Sequence, residues 1–216
     1  MEVEAKFSID AAESYQLLKT IARFDGRIGD FSLGESVLIQ VDDTYLDTPD
    51  YKVLKAGYAL RQRSQQGIVI MTLKSVLTLK SAHIAHSAIH RREEWEVILS
   101  DIAPPNRWPD ITMRNRLLIW IGDAPLKPLF SLKQSRCVRP IYHNERLVAH
   151  LSLDNVSQSA QQYLEAEVEL AESGTESDLK AIIAYLETVP GLRPDPRSKF
   201  ERGLALIRTD NTTGAL

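Results

Sequence analysis

The first nine residues, "MEVEAKFSI", alternate strictly: Val3, Ala5 and Phe7 fall on one side of an extended chain, and Glu2, Glu4 and Lys6 on the other. That period predicts a strand to about Ile9. The period then changes to that of a helix. Asp10 and Glu13 fit a capping box opening "DAAESYQLLKTIAR", and Leu17, Leu18, Ile21 and Ala22 make an apolar stripe at helical spacing. "SVLIQVDDTYLDT" returns to strand, and "TPDYKVLKAG" reads as a short helix with Thr48 at its cap, Pro49 first and Gly57 as its stop.

"YALRQRS" and "IVIMTLKS" flank "QQG" as the arms of a hairpin. "VLTLKSAHIAHSA" reads as loop, "HRREEWEVIL" as strand and "ITMRNRLLIWI" as helix. "LFSLKQSRCVRPIYH", "RLVAHLSLDNV" and "YLEAEVELA" form a run of antiparallel strands. Thr175 caps a long helix, "ESDLKAIIAYLETV". "RSKFERGLALIR" adds a shorter one, and "TDNTTGAL" reads as a frayed tail. About eight strands joined largely in order, with helices at both ends, predict an α+β fold around a large antiparallel sheet or barrel. Residues 1–207 read as one domain and 208–216 as a disordered tail.

Composition narrows the picture only a little. Of 216 residues, 44% are apolar and 25% charged, as in ordinary globular chains, and the net charge of -3 argues against a general nucleic-acid binder. A single cysteine, Cys137, excludes an internal disulfide framework and a cysteine-based zinc cluster. No apolar run approaches the roughly 20 residues of a membrane span. The N-terminus shows no basic segment followed by an apolar one, so a cytoplasmic protein is expected.

Segregation of charge changes the picture more. "LEAEVEL" puts Glu165, Glu167 and Glu169 on one face; "RREEWEV" puts Arg92, Glu94 and Glu96 together; "ALRQRS" aligns Arg61 with Arg63; "MTLK" aligns Thr72 with Lys74. Any one such strand is ordinarily the solvated face of a half-buried sheet. Three glutamates at i, i+2 and i+4 repel one another, however, and a cation among them would turn repulsion into ligation. Hard divalent ions such as magnesium take oxygen ligands, typically one or two carboxylates plus substrate phosphates. Arginine forks and lysines supply the matching contacts to phosphate. His83, His86 and His90 read as solvated loop residues, Asp42 and Asp43 as strand surface or turn, and Trp108 and Trp120 as packing.

With those patterns in view, "EVEAK" resembles the ExExK signature of the CYTH superfamily, the triphosphate tunnel metalloenzymes. "DTYLDTPDYKVLKAGYALRQR", "MTLK", "RREEWE", "SRCVR", "LDNV", "LEAEVEL" and "RSKFERG" follow in the family's order from about residue 1 to about residue 207. The resemblance implies an eight-stranded antiparallel β-barrel enclosing a charged tunnel, with flanking helices. It implies hydrolysis or rearrangement of triphosphates with Mg2+ or Mn2+. Carried onto this chain, Glu2, Glu4, Glu165, Glu167 and Glu169 become metal ligands or their close neighbours. Lys6, Arg61, Arg63, Lys74, Arg92, Arg136 and Lys199 become triphosphate contacts. Glu94, Glu96 and Asp154 orient those cations or a second metal. Lys6, Glu2, Glu167 and Glu169 stand nearest the chemistry. Lys74 rather than Lys80 takes the "TLK" role. Lys133 is one residue off the expected spacing before Arg136, with Arg139 as its candidate substitute.

The resemblance is greatest to bacterial inorganic triphosphatases, which split tripolyphosphate into diphosphate and phosphate. A class IV-type adenylyl cyclase, a thiamine or nucleoside triphosphatase, and a non-catalytic polyphosphate-binding module are the alternatives. The expected partner is a small triphosphate, with no nucleic acid or membrane, and the protein would be a monomer or homodimer.

Overall fold

The computed structural model describes residues 1–10, 12, 15, 16, 26–76 and 89–213, with side chains to residue 207. Lys80, His83, His86 and most of the helix expected after Ile9, including Leu17, Leu18, Ile21 and Ala22, lie outside the described residues. The chain packs as two compact units. One comprises Met1–Gln40, Leu79–Arg91 and Gln134–Pro196, the other Val41–Thr78, Arg92–Lys133 and Arg197–Leu216.

In the first unit, β1 (Glu2–Ile9) lies between β12 (Leu192–Pro194) and β11 (Gln161–Leu170), and β11 is followed by β10 (Arg146–Gln158). The short β2 (Arg27–Ile28) and β3 (Phe31–Leu33) form a hairpin, and β7 (Ile89–Arg92) also pairs with β1. Strand alternation does what the sequence demands. Ala5 and Phe7 are fully buried with Leu151, Leu153, Ala166 and Val168 in one core, which puts Lys6, Asp154, Glu165 and Glu167 on the opposite face. Helix α3 (Glu176–Leu186) closes that core with Leu179, Ile182, Ile183 and Leu186, one apolar stripe at helical spacing. Its start is a capping box: Thr175 Oγ1 accepts from the Asp178 amide at 3.2 Å, and the Asp178 carboxylate accepts from the Thr175 amide at 2.9 Å.

The second unit is built on β5 (Tyr58–Gln65), β6 (Ile68–Ser75) and β8 (Glu94–Leu99), with the later part of β4 (Val37–Asp47) beside β5. Gln66 and Gly67 have φ of 50° and 82°, the two positive values of a tight hairpin turn whose twist matches the strands. Leu60 and Leu73, a cross-strand pair, face Met113, Leu117 and Ile121 of α2 (Ile111–Ile121). Asp110 caps α2 by accepting from the Met113 amide at 2.6 Å. β9 (Lys127–His143), like β4, contributes residues to both units. The last helix, α4 (Lys199–Thr213), opens on a second capping box formed by Ser198 and Glu201.

The α+β class expected from the sequence, antiparallel strands with flanking helices, is the class observed. Two local readings are corrected. The helix expected from Thr48 covers only α1 (Lys52–Lys55), because Tyr51 takes a left-handed backbone (φ 58°) that interrupts any earlier turn. Its first amides are satisfied instead by Asp47, which accepts from Val53 and Leu54 at 2.9 and 3.0 Å, and by Thr48 Oγ1, which accepts from Lys52 at 3.0 Å. The single strand expected over "HRREEWEVIL" is two strands. The chain changes partner at Glu93, so Arg92 and Glu94 do not share one strand face. No helix among the described residues is long and apolar enough to cross a membrane.

Candidate active site

In the first unit, the β1–β11 register sets Lys6 opposite Glu167 and Glu4 opposite Glu169, while the β10–β11 register sets Asp154 opposite Glu165. Residues at directly opposed positions project to the same face, so strands far apart in sequence deliver their ionisable groups to one place. Asp154, Glu165 and Glu167 each offer an oxygen within 4.8 Å of the others. All three are buried, and Asp154 is wholly so.

Carboxylates this close repel unless neutralised. Arg136 supplies the charge. Its Nε and Nη2 donate to the two Asp154 oxygens at 2.8 and 2.6 Å, and Nη2 also reaches Glu167 Oε2 at 2.6 Å. Lys6 donates to Glu167 Oε1 and stands 3.7 Å from Glu4. Burial opposes the Arg136 charge, but Asp154 and Glu167 outweigh it and raise its pKa well above the usual arginine value. The donor set is oxygen alone and suits a hard divalent ion. Asp154, Glu165 and Glu167 could hold one, with Arg136 and Lys6 as competing cations.

The second unit carries the reverse arrangement. Asp43 is opposite Arg63, and Tyr45 opposite Arg61, across β4 and β5. Arg63 donates from Nε and Nη2 to the two Asp43 oxygens at 2.7 and 2.8 Å, and Arg61 Nη1 lies 3.9 Å from the same carboxylate. Arg61 is steadied on its other side, where Nη2 donates to Thr72 Oγ1 at 3.1 Å and that hydroxyl donates to Glu96 at 3.3 Å. Burial pushes the Asp43 carboxyl up, but the Arg61 charge, the Arg63 hydrogen bonds and the Lys199 charge win, and its pKa is lowered. Lys199, 4% exposed, is fixed at the start of α4 beside the Ser198–Glu201 capping box. Lys74 makes a looser 3.9 Å contact with Glu94, its cross-strand partner.

Not every expected site residue joins these groups. Glu165 and Glu167 meet Asp154, whereas Glu2, Glu4 and Glu169 stand outside that trio; Glu169 is exposed near the end of β11. Arg92 is buried at the end of β7, and Glu96 is exposed on β8. Lys133 is exposed, and Arg139 donates to the Gly34 carbonyl at 2.9 Å. His90, expected in solvent, is 4% exposed with Nε2 3.2 Å from the Asp195 carbonyl, because it lies within β7 rather than a loop.

Asp43 is the residue that sequence reasoning passed over. Expected on the surface, it is completely buried. The signal was present. Asp43, Tyr45 and Asp47 alternate in a strand that leads into the strand of paired arginines, so a strand pairing alone could set one carboxylate against both.

The CYTH domain model matches residues 1–204. No curated protein matches the chain by sequence. Among solved structures, the chain is similar to a proposed adenylyl cyclase from Hippeastrum with a dominant triphosphatase activity, with TM-score 0.67 and 19% identity over 97% of this chain and 96% of that one. It is similar to a proposed adenylate cyclase from Bacillus halodurans, with TM-score 0.58 and 21% identity over 94% and 96%. A protein from Pyrococcus horikoshii has TM-score 0.52 and 20% identity over 96% and 98%. At these identities the likeness is one of fold.

Proposed function

The chain belongs to the CYTH domain family, and on that premise we propose that it is a metal-dependent hydrolase of inorganic triphosphate, releasing diphosphate and phosphate. The observation that carries the reading is the buried trio Asp154, Glu165 and Glu167. A protein that merely bound polyphosphate would gain nothing from gathering carboxylates near an anion, whereas a phosphoryl-transfer enzyme needs them to hold a divalent ion.

In this reading Asp154, Glu165 and Glu167 hold Mg2+ or Mn2+, with Glu2, Glu4 and Glu169 on the same face as further acidic groups. When bound, the ion supplies neutralisation of phosphate charge. Arg61, Arg63, Lys74, Arg92 and Lys199 contact the triphosphate, and Lys6 and Arg136 balance the carboxylates and the phosphates. Phosphoryl transfer asks for position and charge more than for covalent help. A water oxygen bonds to the terminal phosphorus as its bond to the bridging oxygen breaks. Diphosphate leaves with that electron pair, and the water's protons pass to the products and solvent. Glu167 and Glu169 orient the water, and Lys6 offsets charge on the leaving diphosphate.

The test is phosphate release from tripolyphosphate, ATP and thiamine triphosphate, each with magnesium, manganese or EDTA. Rapid metal-dependent release from tripolyphosphate, with little from ATP, is expected. Glu167→Gln should lower turnover at saturating magnesium by at least about 100-fold. An unchanged rate in that variant would sink the assignment. Cyclic AMP appearing from ATP would turn the reading to a cyclase.

A further inference from the structure

Two guanidiniums at i and i+2 of one strand share a face and repel, so a strand carrying Arg61 and Arg63 needs something to hold both in place. Asp43 answers that need. It is 0% exposed, sits directly across β4–β5 from Arg63, grips Nε and Nη2 of that residue with both oxygens, and lies 3.9 Å from Arg61. A carboxylate of two-bond reach, buried in a strand, has no route to water. Its geometry therefore fixes the arginine rather than following it.

We infer that Asp43 is a positioning residue for triphosphate binding, which locks the Arg63 guanidinium by its Nε–Nη2 edge. This rests on the triphosphatase reading above. A guanidinium held along that edge keeps three N–H donors, one on Nη2 and two on Nη1, aimed in a fixed direction, so Arg63 meets an anion through its outer Nη1–Nη2 edge. Orientation set in advance spares the ordering cost that a mobile arginine would bear on binding. Asn in place of Asp keeps the volume but turns an amide NH2 toward a guanidinium N–H. Donor then faces donor, and the lock is lost.

The experiment is a calorimetric titration of tripolyphosphate into the wild type, Asp43→Asn, Arg63→Gln and the double variant, run beside the phosphate-release assay. Asp43→Asn should weaken binding by about tenfold or more. In the Arg63→Gln background the same change should alter binding by less than about twofold, because a residue that acts through Arg63 has nothing left to position. A general loss of structure would lower the melting temperature without that coupling. Arg63→Lys, which keeps the charge but cannot take both carboxylate oxygens, should show a loss similar to that of Asp43→Asn and serves if the latter fails to fold.

Wild-type affinity in Asp43→Asn, or an equal loss in both backgrounds, overturns the inference and leaves the triphosphatase reading standing. Binding without phosphate release overturns the triphosphatase reading while the Asp43 coupling is still read from affinity. Absence of wild-type binding overturns both.

Discussion

The two ionic groups are built as opposites. In the first unit one guanidinium, Arg136, holds two carboxylates, Asp154 and Glu167; in the second, one carboxylate, Asp43, stands between two guanidiniums, Arg63 and Arg61. Each group thus collects like charges around a minority counter-charge. The difference lies in which sign is trapped. The Asp154 side chain is wholly buried and too short to reach water; Glu167 and Arg63 are about equally buried, at 11% and 10% exposed, but Arg63 and Arg61 carry their charges on longer stems, and Arg61 keeps 18% exposure. Arginines can turn their heads outward when their partner is removed, and a strand-borne aspartate cannot.

The comparison predicts unequal damage. Arg136→Met leaves two buried carboxylates without their main counter-charge and should cost about 3–5 kcal/mol of stability in urea denaturation. Asp43→Asn leaves two arginines that can relax outward, and should cost about 1–3 kcal/mol in the same measurement. Equal costs would mean that burial of the minority ion, not the reach of its partners, sets the energetics.

A smaller effect comes from a buried carboxylate outside both groups. Asp178 feels a burial penalty, but bonds from Thr175, Arg146 and His143 dominate and lower its pKa to about 2. Its folded pKa lies below its unfolded value, near 3.9. The stabilisation is therefore complete above about pH 4 and is lost as pH falls toward about 2. It amounts to roughly 2 kcal/mol. Asp178→Asn should remove that acid limb from a plot of stability against pH; an identical limb in both proteins would refute the assignment. The smallest effect is expected at Lys74 and Glu94, 3.9 Å apart and each about one-fifth exposed. Lys74→Gln should change stability by less than about 1 kcal/mol, with any larger shift confined to tripolyphosphate binding.

Much of this architecture was legible because it is local. The alternation of β1, the hairpin around Gln66 and Gly67, the bounds of α2 and the Thr175 cap follow from periods and capping chemistry within a few residues. The strand break at Glu93 was not, because the residues on either side have the same strand period and only the change of pairing partner separates them. Nor was the short α1, where the left-handed Tyr51 and the distant reach of Asp47 override the Pro49 signal for a helix start.

Alternation along each strand dictated which side chains share a face, since successive residues must point oppositely and polar ones must avoid the apolar core. It determined that Lys6 travels with Glu4, Arg61 with Arg63, and Glu165 with Glu167. Which of those faces meet was left to long-range strand pairing. Register across strands more than a hundred residues apart put Lys6 against Glu167, and the pairing of β4 with β5 put Asp43 beneath the arginines. Register is fixed by packing of the opposite, apolar faces, because a slip of one residue would bury every charge in the core. That constraint belongs to the assembled sheet and has no trace in any one strand.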